Sequence, residues 1–101
     1  MSGTTIESGS KIGIYGLGLT GQSVAKFLDG KGFSLRLFDD SPSEAALAMA
    51  KKFHSEIYSC HTKIDCQEYL NGLKAIFPTP GLPDDHIALK FAQDNELLIH
   101  G

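Results

Sequence analysis

Apolar residues in this chain come alternately in short runs and in helical stripes. Lys11-Ile12-Gly13-Ile14-Tyr15 is a brief branched run, the mark of a buried strand. From Thr20 to about Lys31, Val24, Phe27 and Leu28 recur at helical spacing, and Gly30 and Gly32 end the helix. Ser34–Phe38 is a second strand, closed by Asp39-Asp40. Ser41-Pro42-Ser43-Glu44 then predicts a helix start, with Ser41 at the N-cap, Pro42 at the first helical position and Glu44 completing a capping box. Ala46, Ala50 and Phe53 give that helix its stripe. A short third strand falls at Ile57-Tyr58, and Asp65 is expected to cap a third helix carrying Cys66, Tyr69 and Leu70, stopped by Asn71-Gly72. Lys74–Phe77 is a fourth strand. Asp84 to Asn95 is a fourth helix with Ile87, Ala88, Phe91 and Ala92 inward, and Leu97-Leu98-Ile99 is a fifth strand.

Strand and helix alternating through short connections require right-handed crossovers and a parallel sheet. The predicted fold is α/β: a Rossmann-like, doubly wound, five-stranded parallel sheet with helices on both faces. Residues 11–101 form a single domain, preceded by a small, polar lead-in over residues 1–10. No internal repeat or low-complexity tract interrupts the pattern.

Within that pattern, Gly16-Leu17-Gly18-Leu19-Thr20-Gly21 sits between the first strand and the first helix. There G-x-G-x-x-G has a specific physical meaning. Gly16 allows the tight turn, Gly18 has no side chain to keep a phosphate off the backbone, and Gly21 lets the helix approach the strand. The helix N-terminus adds free N–H groups and the positive end of its dipole. The alternative is a tight turn that serves packing alone.

In such sheets ligands lie beyond the carboxyl ends of the strands, and two further loops arrive there. Asp39-Asp40, about twenty residues past the glycine run, can accept hydrogen bonds from ribose hydroxyls or a base N–H. Solvated turn carboxylates ahead of a helix are the plainer alternative. Pro78-Thr79-Pro80-Gly81-Leu82-Pro83 is a rigid path, more than a strand-to-helix connection needs, and is expected to contact the ligand.

Composition narrows the class. At 42% apolar and 21% charged, the 101-residue chain is ordinary for a globular protein. A net charge of −3 argues against nucleic acid as a partner. Neither a secretory signal nor a membrane-length apolar run is present, so a cytoplasmic location and no membrane partner are expected. Cys60 and Cys66 do not match zinc-ligand spacing and read as plain thiols, so no metal site is expected. His54, His86 and His100 are scattered and read as surface residues. With no catalytic constellation and no G-x-x-x-x-G-K-[ST] loop, the chain is expected to bind a ligand without doing chemistry and to hold no cofactor of its own.

Two segments together resemble a known family. Ile14-Tyr15-Gly16-Leu17-Gly18-Leu19-Thr20-Gly21-Gln22-Ser23 is similar to the opening motif of the D-glutamate-adding Mur ligases, the UDP-N-acetylmuramoyl-L-alanine:D-glutamate ligase family. Thr79-Pro80-Gly81-Leu82-Pro83, with His86 and Leu98-Ile99-His100-Gly101, resembles that family's Ser-Pro-Gly-Ile loop and the way out of its first domain. The resemblance covers Lys11 to Gly101 and implies the N-terminal, UDP-binding part of a three-domain, ATP- and magnesium-dependent ligase of peptidoglycan synthesis. Its central ATPase domain, on which this domain would pack, and its C-terminal domain would carry the catalytic residues. The implied ligand is UDP-N-acetylmuramoyl-L-alanine, with Leu19 and Thr20 at the diphosphate, Asp39 at the uridine, Asp40 and Ser41 beside it, and Gly81 along the sugar-diphosphate path. Asp40-Ser41 stands where a Thr-Arg pair is known in the family, and Thr79 replaces the more familiar Ser. The glycines and Asp39 equally suit an NAD(H)-binding domain of a dehydrogenase or a redox-sensing regulator, and a structural domain with a vestigial site is a third possibility.

Overall fold

The computed structural model describes residues 9–99, so most of the lead-in, His100 and Gly101 lie outside the described residues. Nine elements alternate: β1 (Lys11–Tyr15), α1 (Leu19–Gly30), β2 (Ser34–Phe38), α2 (Glu44–Lys52), β3 (Ile57–Tyr58), α3 (Lys63–Tyr69), β4 (Ala75–Pro78), α4 (Ile87–Asp94) and β5 (Leu98–Ile99). The strands pair in parallel in the order β3-β2-β1-β4-β5. Strand order reverses between β1 and β4, which creates the crevice where such sheets take ligands.

Both faces of the sheet are covered, as alternation along the strands requires. Ile12, Ile14, Leu37 and Ala75 point to one side, where Ala25 and Leu28 of α1 and Ala46, Met49 and Ala50 of α2 cover them. Tyr15, Phe38 and Ile76 point to the other, against Cys66 of α3 and Ala88 and Ala92 of α4. The doubly wound arrangement therefore follows from a period of two in the strands meeting helical stripes. Cys60 and Cys66 are buried thiols in the second core, and burial pushes Cys60 up to about 12 and Cys66 upward. Both stay protonated and unreactive near neutrality.

Helix starts differ from the sequence expectation, each for a local reason. The Ser41 N–H donates to Asp39 Oδ1 at 2.8 Å, which holds Ser41 in a turn and moves the N-cap of α2 to Ser43, whose Oγ accepts the Ala46 N–H. Thr62, not Asp65, is the N-cap of α3. Asp65 closes a reciprocal capping box from the third helical position, accepting the Thr62 N–H while its own N–H donates to Thr62 Oγ1. α4 begins at Ile87 rather than Asp84, because the His86 N–H closes a turn onto the Pro83 carbonyl and His86 becomes the cap. Phe27 is not part of the inward stripe of α1: it is exposed, with the Lys31 ammonium 5.3 Å from its ring centroid. β4 and β5 each start one residue later than expected.

Candidate functional site

Three loops meet at the crevice and enclose an open cleft of about 630 Å³. Gly16, Gly18, Leu19, Thr20 and Gly21 form one wall, Asp39, Asp40 and Ser41 a second, and Thr79, Pro80 and Gly81 a third. These residues, each expected from the sequence to meet the ligand, thus lie around one space; Pro78, at the end of β4, is not among the lining residues.

The glycine loop is built by close approach at two positions. Gly16 adopts φ +99°, and a Cβ there would stand 2.1 Å from Thr79 Oγ1. At Gly21 a Cβ would stand 1.9 Å from the Gly16 carbonyl oxygen, so only glycine lets α1 start this near β1. Gly18 is different: nothing lies within 4 Å of where its Cβ would be. It is the N-cap of α1 and no side chain caps the helix, whereas Ser43, Thr62 and His86 cap the other three. The first-turn N–H groups of α1 therefore face the cleft wall with no side-chain acceptor.

The two aspartates have separate jobs. Asp39 ties the loops together, accepting the Leu17 N–H on Oδ2 at 2.6 Å and the Ser41 N–H on Oδ1 at 2.8 Å. Asp40 belongs to a side-chain network. Its Oδ1 accepts the Tyr15 hydroxyl at 2.5 Å and the Ser59 hydroxyl at 3.1 Å, and its Oδ2 lies 2.8 Å from His86 Nε2. Burial alone would raise the Asp40 carboxyl, but the hydrogen bonds from Tyr15, His86 and Ser59 outweigh it and hold the group below its ordinary value. Asp40 is therefore a fixed carboxylate, 35% exposed toward the cleft. Burial, reinforced by the bond to Asp40, pushes the Tyr15 hydroxyl far up, so it remains a donor. Among the described residues the cleft lining includes no Lys or Arg, so an anion would be met by backbone N–H groups and by the hydroxyls of Thr20, Ser41 and Thr79 rather than by a cation.

Tyr15 and His86 were not legible as site residues, and His86 is no free surface histidine. Its side chain is 12% exposed, caps α4 and meets the Tyr15 ring edge-on at a centroid distance of 4.8 Å. A signal for Tyr15 existed. The only hydroxyl in β1 sits at its carboxyl end, directly before the glycine run, on the face opposite Ile12 and Ile14. The same hydroxyl accepts the N–H of buried Cys60 at 2.8 Å. Tyr15→Phe would strand that N–H and is expected to destabilise the protein by about 1–3 kcal/mol. Thermal denaturation checks this; an unchanged midpoint would mean that the Cys60 N–H has another acceptor.

A family model described as Mur ligase MurD-like, N-terminal domain, matches residues 10–101. Among solved structures, apo D-lactate dehydrogenase from Escherichia coli superposes with a TM-score of 0.60 at 23% identity, over 91% of this chain and 28% of that one. A Salmonella D-lactate dehydrogenase superposes with a TM-score of 0.53 at 25% identity, over 75% of this chain and 20% of that one. The chain thus spans less than a third of either dehydrogenase, and the likeness is one of fold. No curated protein matches the chain. Among the described residues, no helix is long and apolar enough to cross a membrane.

Proposed function

The chain belongs to the Mur ligase MurD-like N-terminal domain family, and we propose that its cleft binds UDP-N-acetylmuramoyl-L-alanine for the ligase that adds D-glutamate in peptidoglycan precursor synthesis. One observation carries this reading: an uncapped helix N-terminus with open space at Gly18 shares a single cleft with two carboxylates. Such a cleft has a phosphate end and a donor-reading end. The Leu19 and Thr20 N–H groups, in the first turn of α1, meet the diphosphate. Asp39, Asp40 and Ser41 lie at the uridine, where carboxylates accept N–H and O–H groups. Thr79, Pro80 and Gly81 line the path of the sugar. Phosphoryl transfer, with its ATP and magnesium, belongs to the rest of a cytoplasmic ligase on which this domain packs; the residues here bind and orient.

Titration with UDP, UDP-N-acetylmuramoyl-L-alanine and NADH, followed by backbone amide shifts, tests the proposal. Both uridine ligands are expected to move Leu19, Thr20, Asp39 and Gly81, with tighter binding for the larger ligand. Movement of the same amides by NADH alone would replace the ligase reading with a nicotinamide-dinucleotide one. Silence toward all three would leave a vestigial site.

A further inference from the structure

We propose that His86 is a positioning residue of the cleft, clamping the far end of the Pro-Gly loop to Asp40. The near end of that loop is fixed by the sheet, because the Thr79 N–H donates to the Tyr15 carbonyl at 3.0 Å. Two turns follow, closed by the Leu82 N–H onto Thr79 O and the His86 N–H onto Pro83 O, each at 3.0 Å. Local turns give a segment its shape but do not set its distance from another loop. The imidazole does that. His86 Nδ1 accepts the Ala88 N–H at 3.0 Å, which leaves the ring hydrogen on Nε2, and this hydrogen donates to Asp40 Oδ2 at 2.8 Å. Among the described residues, no other hydrogen bond joins the loop after β2 to the loop after β4.

One ring therefore starts α4 with one nitrogen and ties two cleft walls together with the other. Its partner cannot swing away, since Tyr15 and Ser59 hold the far oxygen of Asp40. A hydrogen bond to an ionised carboxylate is among the stronger polar contacts available, and here the imidazole side is 12% exposed while the carboxylate is 35% exposed. The clamp sets the separation between the wall at the nucleoside and the wall along the sugar. Without it, a ligand must order the Pro-Gly loop as it binds, and affinity falls. The affinity argument rests on the nucleotide reading of the cleft given above.

Two variants divide the functions of the imidazole. His86→Asn supplies a good N-cap acceptor but is too short to reach Asp40, whereas His86→Gln can extend an N–H to Asp40 and caps poorly. With UDP as the probe, His86→Asn is expected to weaken binding about tenfold or more and His86→Gln to stay within about threefold. Equal affinities for the two variants would make His86 a helix cap and nothing more. A ligand-free readout stands beside this one. Amide exchange at Leu82 is expected to quicken about tenfold in His86→Asn but not in His86→Gln. Unchanged exchange in His86→Asn overturns the clamp whatever UDP does. If wild-type protein ignores UDP while the exchange pattern holds, the nucleotide reading falls and the clamp survives.

Discussion

Gly21→Ala is expected to be the most damaging single substitution in the glycine loop, although it adds only one methyl group. The methyl carbon would be placed 1.9 Å from the carbonyl oxygen of Gly16 and 3.2 Å from Thr79 Cγ2. Neither the oxygen nor its carbonyl carbon, 2.9 Å away, is the movable end of a side chain. Relief requires either the α1 axis to retreat from β1 or the turn at Gly16 to open. Retreat pulls Ala25 and Leu28 from the core they share with Ile12 and Ile14. Opening the turn breaks the Gly16 N–H bond to the Phe38 carbonyl at 2.8 Å. Overpacking a well-packed core costs about 1–3 kcal/mol, and a clash with backbone that cannot yield should reach at least the top of that range. For a domain of this size about 3 kcal/mol lowers the melting temperature by roughly 15 °C. A calorimetric midpoint within a few degrees of wild type would show that α1 is not held against β1 by this contact.

The order of elements and the three-loop cleft were legible because they depend on periodicity and on residues that lack something. Glycine at Gly16 and Gly21 is read from its missing Cβ, and the first two strands are read from branched apolar residues two apart, Ile12 with Ile14 and Leu35 with Leu37, which share one core. Helix starts were less legible because several polar side chains compete for the same N–H groups. Asp39 took the Ser41 N–H and displaced the expected cap by two residues; Thr62 and Asp65 shared a box in which either could have led. The Tyr15–Asp40–His86 network was illegible for a different reason. Its members are 25 and 46 residues apart in sequence and meet only because β1, β2 and α4 converge at the switch in strand order. The network also explains how a carboxylate is accommodated at position 40: it is satisfied by Tyr15, Ser59 and His86.

Gly18→Val should leave the fold cooperative and remove nucleotide binding, the reverse of the outcome at Gly21 only three positions away. Gly18 has φ −71° and ψ −165°, an extended conformation open to any residue, and no atom lies within 4 Å of its added Cβ. Valine is a poorer N-cap than glycine, so a loss of about 1 kcal/mol is expected, with a midpoint only a few degrees lower. The isopropyl group must then occupy the empty space, and that space is the approach to the first-turn N–H groups of α1. A phosphate held away from those donors loses at least two charge-assisted hydrogen bonds, about 1.5–3 kcal/mol each, so affinity for UDP should fall about a hundredfold or more. Gly18→Ala, with a single methyl in the same space, should fall between the two. Calorimetric titration beside thermal melts reads both quantities on one sample. Wild-type affinity in a folded Gly18→Val protein would take the glycine loop out of the ligand site, leaving Asp39, Asp40 and the Pro-Gly loop to bind without it.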